Sequence, residues 1–66
     1  MKNTIFDIRN NEETRKILDR IEEAKEEIRG RGLTLEDEDF WVFAYKNDVN
    51  ELYKKTGYNY DKSVQK

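Results

Sequence analysis

One apolar run, Phe40-Trp41-Val42-Phe43-Ala44-Tyr45, decides what this chain can fold into. It is the only dense apolar stretch in a chain whose residues are 42% charged. Seven of the eight aromatic residues lie between positions 40 and 60, so a core has to be assembled on that segment. The net charge is only −2, because 13 basic and 15 acidic side chains nearly cancel. That balance, with the regular placement of the apolar residues, favours a folded chain over a disordered one.

The 66 residues make one small domain. A domain of this size buries only about 60% of the surface its unfolded chain exposes, so small folds commonly add a disulfide, a metal or a partner subunit. Cysteine and histidine are both absent, which removes disulfides, thiolate chemistry and the commonest metal ligand and general base. Self-association is the remaining device, and a two-fold homodimer is the simplest form of it. No apolar run approaches the roughly 20 residues of a membrane span, and Met1-Lys2-Asn3-Thr4 lacks the apolar centre of a signal peptide. A cytoplasmic protein without a membrane segment is expected.

The periodicity predicts an all-α fold: an antiparallel helical hairpin over about 11–29 and 35–56, with an extended N-terminal arm (1–10) and a short C-terminal tail (58–66). In the first helix, Ile17, Ile21, Ala24 and Ile28 recur at i, i+4, i+7 and i+11, and Leu18 widens the stripe. Asn10 or Asn11 caps its start, Glu12 and Glu13 favour the helix dipole, and Gly30 supplies a left-handed stop. Thr34-Leu35-Glu36-Asp37 has the spacing of a capping box, which starts the second helix near Leu35, and Gly57 ends it. The rival reading of 40–45 is a strand, since short apolar runs are ambiguous by period alone. The arm carries Ile5, Phe6 and Ile8 as a short strand or extended segment docked on the helices, and beyond Asp61 the tail is expected to fray.

The second helix has two apolar sides. Trp41, Val42, Tyr45, Val49, Leu52 and Tyr53 fit packing against the first helix, whereas Phe40, Phe43 and Ala44 face the other way. The arm, a second subunit or a target protein is needed to cover that second face.

The carboxylates offer little chemistry. Glu22/Glu26 and Glu23/Glu27 are i, i+4 pairs among many basic neighbours, as on a solvated charged face. Glu36-Asp37-Glu38-Asp39 lacks the alternating ligands and central glycine of a calcium loop, and at a helix start it compensates the dipole. No cofactor or metal is expected, and no enzyme: Ser63, the sole serine, lies near the chain end, and so small a chain does not enclose a substrate pocket.

What remains is a protein–protein interaction module, a regulator or inhibitor that occludes a partner. Phe40, Trp41, Phe43 and Ala44 would bind, while Glu22, Glu23, Glu26 and Glu27, with Glu36, Asp37, Glu38 and Asp39, would steer the encounter. A basic groove in a nucleic-acid-handling enzyme would suit those acids, by analogy with small acidic proteins of phages and plasmids. The competing reading is a single-strand nucleic-acid binder that interleaves Lys46, Lys54, Lys55 and Lys62 with Tyr45, Tyr53, Tyr58 and Tyr60. A pI near 5.1 opposes it. A third reading is a structural subunit of a larger assembly.

Overall fold

The computed structural model describes residues 4–64, which form three helices: α1 (Ile5–Asn10), α2 (Glu12–Arg31) and α3 (Phe40–Thr56). The fold is the expected all-α hairpin, with α2 packed against α3. The two run antiparallel, and ion pairs mark the register: Lys55 reaches Glu13 at 3.7 Å, while Arg20 reaches Asp48 at 3.2 Å and Glu51 at 3.6 Å. Positions 40–45 lie within α3, so the strand reading does not hold. Residues 1–3 and 65–66, the outer ends of the expected arm and tail, lie outside the described residues.

The core is the seam between the two long helices. Ile17, Leu18, Ile21, Ala24 and Ile28 of α2 meet Val42, Tyr45, Val49 and Leu52 of α3, all buried, and Ile8 of α1 closes one end. The molecule measures 34 × 23 × 13 Å, so its thin dimension is little more than one helix diameter of about 10 Å. A single layer leaves each long helix with an outer side that no other element covers.

The arm is a helix and not a strand. Thr4 and Asp7 form a capping box, in which the Thr4 hydroxyl accepts from the Asp7 N–H at 3.3 Å and the Asp7 carboxylate accepts from the Thr4 N–H at 3.2 Å. Ile5 and Ile8, three residues apart, then share one side and pack on the core, while Phe6 points away and is 75% exposed. Asn11 ends α1 and caps α2, accepting from the Glu13 and Thr14 N–H groups. The Thr14 hydroxyl locks the corner by donating to the Ile8 carbonyl at 2.8 Å. No helix among the described residues is long and apolar enough to cross a membrane.

Two helix boundaries differ from the sequence reading. The first helix continues through Gly30 to Arg31, and Gly32 makes the left-handed turn at φ +68°. Leu33 donates back to the Ile28 carbonyl at 2.9 Å, the closing bond of a Schellman motif, and packs against the core. The second helix starts at Phe40, five residues later than expected. The Asp37 carboxylate accepts from the Thr34 N–H at 2.6 Å and from its hydroxyl at 3.3 Å, but the Asp37 N–H donates to the Thr34 carbonyl in a tight turn and the chain does not go on as helix. Asp39 is the cap instead, accepting from the Trp41 N–H at 2.9 Å. Aspartate favours such non-helical bonds to nearby backbone, so the acidic run settles as loop and cap, and no acid lies in the first turn of α3.

The tail folds back along the hairpin. Tyr58, Tyr60 and Val64 pack on the core, and the Tyr60 ring meets Tyr45 edge-on at 6.4 Å with the Lys25 ammonium 5.6 Å from its centre. The Tyr45 hydroxyl donates to Asp61 at 2.5 Å, and Asp61 caps a closing turn through the Ser63 N–H. The expected fraying after Asp61 is therefore not seen through Val64. The Tyr45 hydrogen bond holds the Asp61 carboxyl below its ordinary value of 3.8. Burial, then the Asp61 carboxylate, push the Tyr45 phenol well above its ordinary 10.0.

Two pairs of measurements check this architecture. Gly30→Ala should stabilise by about 0.5–1 kcal/mol, because Gly30 is helical with open space around it, whereas Gly32→Ala should destabilise by about 1 kcal/mol through its positive φ. Urea unfolding followed by circular dichroism reads both, and like signs would contradict the helix end assigned here. For the tail, a carboxyl whose folded value is depressed stabilises above its unfolded value and loses that contribution as pH falls through the folded one. The stability difference between wild type and Asp61→Asn should therefore be full near pH 7 and shrink below about pH 3.8. A difference that does not change with pH would contradict the Tyr45–Asp61 lock.

Candidate protein-binding face

The outer side of α3 follows from helical geometry. With Val42, Tyr45, Val49 and Leu52 turned into the seam, residues at i, i+3 and i+7 from Phe40 point to solvent, while Asn50 at i+10 is half-buried and its amide donates to the Lys46 carbonyl. That row reads Phe40, Phe43, Asn47, Asn50, and it continues to Lys54. Phe40 is 72% exposed and Phe43 is 76% exposed, values unusual for such large apolar side chains. Trp41 is half-buried against the core and props Phe40, their rings edge-to-face at 5.2 Å. Ala44, also half-buried, follows Phe40 by about one turn of the helix.

The arm does not cover this face. It packs against α2, and the hollow of about 510 Å3 that brings Asp7, Ile8 and Asn11 together with Lys55 and Thr56 puts its C-terminal half by the C-terminal end of α3. Phe40 begins the opposite end of that helix. The hollow itself is polar, and its side chains are engaged: Asp7 and Asn11 in caps, Glu13 with Lys55, and Thr14 with Ile8.

The acids divide into two groups. Glu36, Asp37 and Glu38 line a shallow groove of about 250 Å3 together with Val42, Phe43 and Lys46. Asp39 is adjacent in sequence but serves as the α3 cap. Glu22, Glu23, Glu26 and Glu27 stand on α2 and take no part in that groove. Two of them are engaged locally, Glu22 with Arg9 at 3.6 Å and Glu27 with Arg31 at 3.1 Å. Glu23 and Glu26 are exposed. Among the described residues no group of three or more acids converges as a metal site would require.

The ring inventory bears on the nucleic-acid reading. Tyr45 is buried with its hydroxyl bonded, and Tyr58 and Tyr60 lie against the core. Tyr53 is 43% exposed, so one of the four tyrosines offers a free face where a stacking groove needs successive ones.

The neutral character of the outward row was missed in the sequence. Counting apolar residues singles out Phe40 and Phe43 and stops there. Counting charges on the same wheel would have shown Asn47 and Asn50 extending an uncharged strip in a chain that is 42% charged. Phe6 was read as a docked side chain and is instead exposed, and the buried Asp48 with its partner Arg20 was not anticipated at all. Compared with protein-family models, with curated proteins and with solved structures, the chain matches none.

Proposed function

We infer that this chain is a small protein–protein interaction module, and that it acts as a regulator or inhibitor by covering a surface of another protein. The observation that carries this reading is the outward face of α3: two phenylalanines about three-quarters exposed, one turn apart, in an uncharged strip. Interface centres are depleted of charge and enriched in aromatic rings, whereas an ordinary solvent face of so charged a chain would carry Lys and Glu. Contact energy comes from Phe40 and Phe43, with Trp41 holding Phe40 in place.

Steering comes from acids. Glu36, Asp37 and Glu38 rim the strip, and Glu23 and Glu26 extend the negative field over α2. Such a field speeds encounter with a basic surface, of which the groove of a nucleic-acid-handling protein is one example. A cytoplasmic setting accords with a chain that has no cysteine.

A photo-crosslinking phenylalanine analogue at position 43 tests the reading, with position 6 as control because Phe6 is equally exposed on α1. In cells that produce the protein, discrete adducts are expected from position 43 and not from position 6. Equal or absent yields at the two positions would sink the assignment of this face. Phe43→Asp should remove the corresponding complex while changing stability by less than about 0.5 kcal/mol, as for other exposed sites, with an unchanged helical spectrum. Unfolding of that variant would mean that Phe43 is a core residue.

A further inference from the structure

The outward face of α3 carries its charges asymmetrically. At its N-terminal end, Glu36, Asp37 and Glu38 line a groove with Phe43. Lys46 lines the same groove, and Lys54 stands two turns further toward the C-terminal end on that flank of the helix. Glu36, Glu38, Lys46 and Lys54 make no ion pair among the described residues, unlike Arg20 or Glu27. Between the two ends the strip is neutral, and its middle is occupied by small or amide side chains, Ala44 and Asn47.

We propose that the partner of this face is a second copy of the same chain, with α3 against α3 in an antiparallel two-fold dimer whose axis passes near Ala44 and Asn47. The proposal rests on the reading of the α3 face as an interaction surface and names what binds there. A two-fold interface must be complementary to itself, and this face holds both halves of the match. Antiparallel pairing about this axis lays the acids of one copy beside Lys54 of the other, twice over, while Lys46 stays next to the acids of its own chain. Parallel pairing would set acid against acid and lysine against lysine. Small side chains near the axis let the helices approach to about 8–10 Å, with each Phe43 lying over Ala44 and Asn47 of the other copy.

The size of the face sets the strength of the dimer. The row from Phe40 to Lys54 is about 21 Å long at 1.5 Å per residue. One helix face supplies less than the roughly 800 Å2 per partner of a stable interface, so the dimer is a weak one whose population rises with concentration. The exposed acids Glu23 and Glu26, on α2, lie outside the paired strip and stay available to a larger basic partner.

Sedimentation velocity over a concentration series at about 50 mM salt, where screening is modest, tests this directly. Wild type should pass from monomer to dimer, and Phe43→Asp should stay monomeric with unchanged helix content. The decisive arm is a charge swap. Lys54→Glu, and separately Glu36→Lys with Glu38→Lys, should each weaken self-association by about tenfold or more. An equimolar mixture of the two variants should form a heterodimer with near wild-type affinity, since acid and lysine then face each other again at both ends. A wild type that stays monomeric to about 1 mM, or a mixture that fails to associate, overturns the proposal. If wild type is monomeric while position 43 still crosslinks to another protein, the dimer is lost and the interaction face stands. If position 43 gives no adduct either, both are lost.

Discussion

Two helices packed side by side can each bury one face, and a third element is needed to bury the other. That constraint governs this molecule. The seam between α2 and α3 takes Ile17, Leu18, Ile21, Ala24 and Ile28 from one side and Val42, Tyr45, Val49 and Leu52 from the other. The remaining elements, α1 and the folded-back tail, extend this core through Ile8, Tyr58, Tyr60 and Val64. Neither is placed over Phe40 and Phe43, which stay exposed. The outer side of α3 is thus left over by the geometry of a single layer, and its residues are free to be chosen for contact with other molecules.

The long helices were legible because their signals are redundant. Apolar spacing, an asparagine cap at Asn11 and a glycine stop at Gly57 all point the same way, and the structure uses each of them. The boundaries at the central loop were less legible because one motif has two outcomes. Thr4-Ile5-Phe6-Asp7 and Thr34-Leu35-Glu36-Asp37 share the capping-box spacing. At Thr4 the Ile8 N–H donates to the Thr4 carbonyl four residues back, and a helix follows. At Thr34 the donor to the carbonyl is Asp37, three residues on, and the chain turns. What separates the two lies beyond the four residues: Ile8 continues toward the core, whereas Asp39 offers a better cap just before the apolar run. A helix of six residues, as α1 is, also shows too little of the 3.6-residue period to be recognised.

The candidate face was half legible. Phe40 and Phe43 could be placed opposite the seam by their spacing alone, but whether the N-terminal segment covers them depends on the corner at Asn11. There the Thr14 hydroxyl and the Ile8 carbonyl fix the direction of α1 toward the far end of the hairpin. Those contacts are tertiary, and no local pattern encodes them. The same holds for the tail: Tyr60 and Asp61 meet Tyr45 fifteen and sixteen residues away in sequence, through a ring contact and one hydrogen bond. Their effect on function is indirect. They withdraw aromatic rings from the surface and leave the α3 row as the aromatic face with charge at its edges instead of its centre.

The central claim is that Phe40 and Phe43 are open in the isolated chain and closed by a second molecule. The chain has three phenylalanines, so fluorine NMR of protein labelled with fluorophenylalanine gives one reporter at each of positions 6, 40 and 43. Three solvent-accessible resonances are expected at high dilution, with shifts or broadening at 40 and 43, and 6 unmoved, as concentration or a binding partner is raised. Signals from 40 and 43 that are already shielded from solvent at the lowest concentration would contradict it, because they would place both rings inside the monomer.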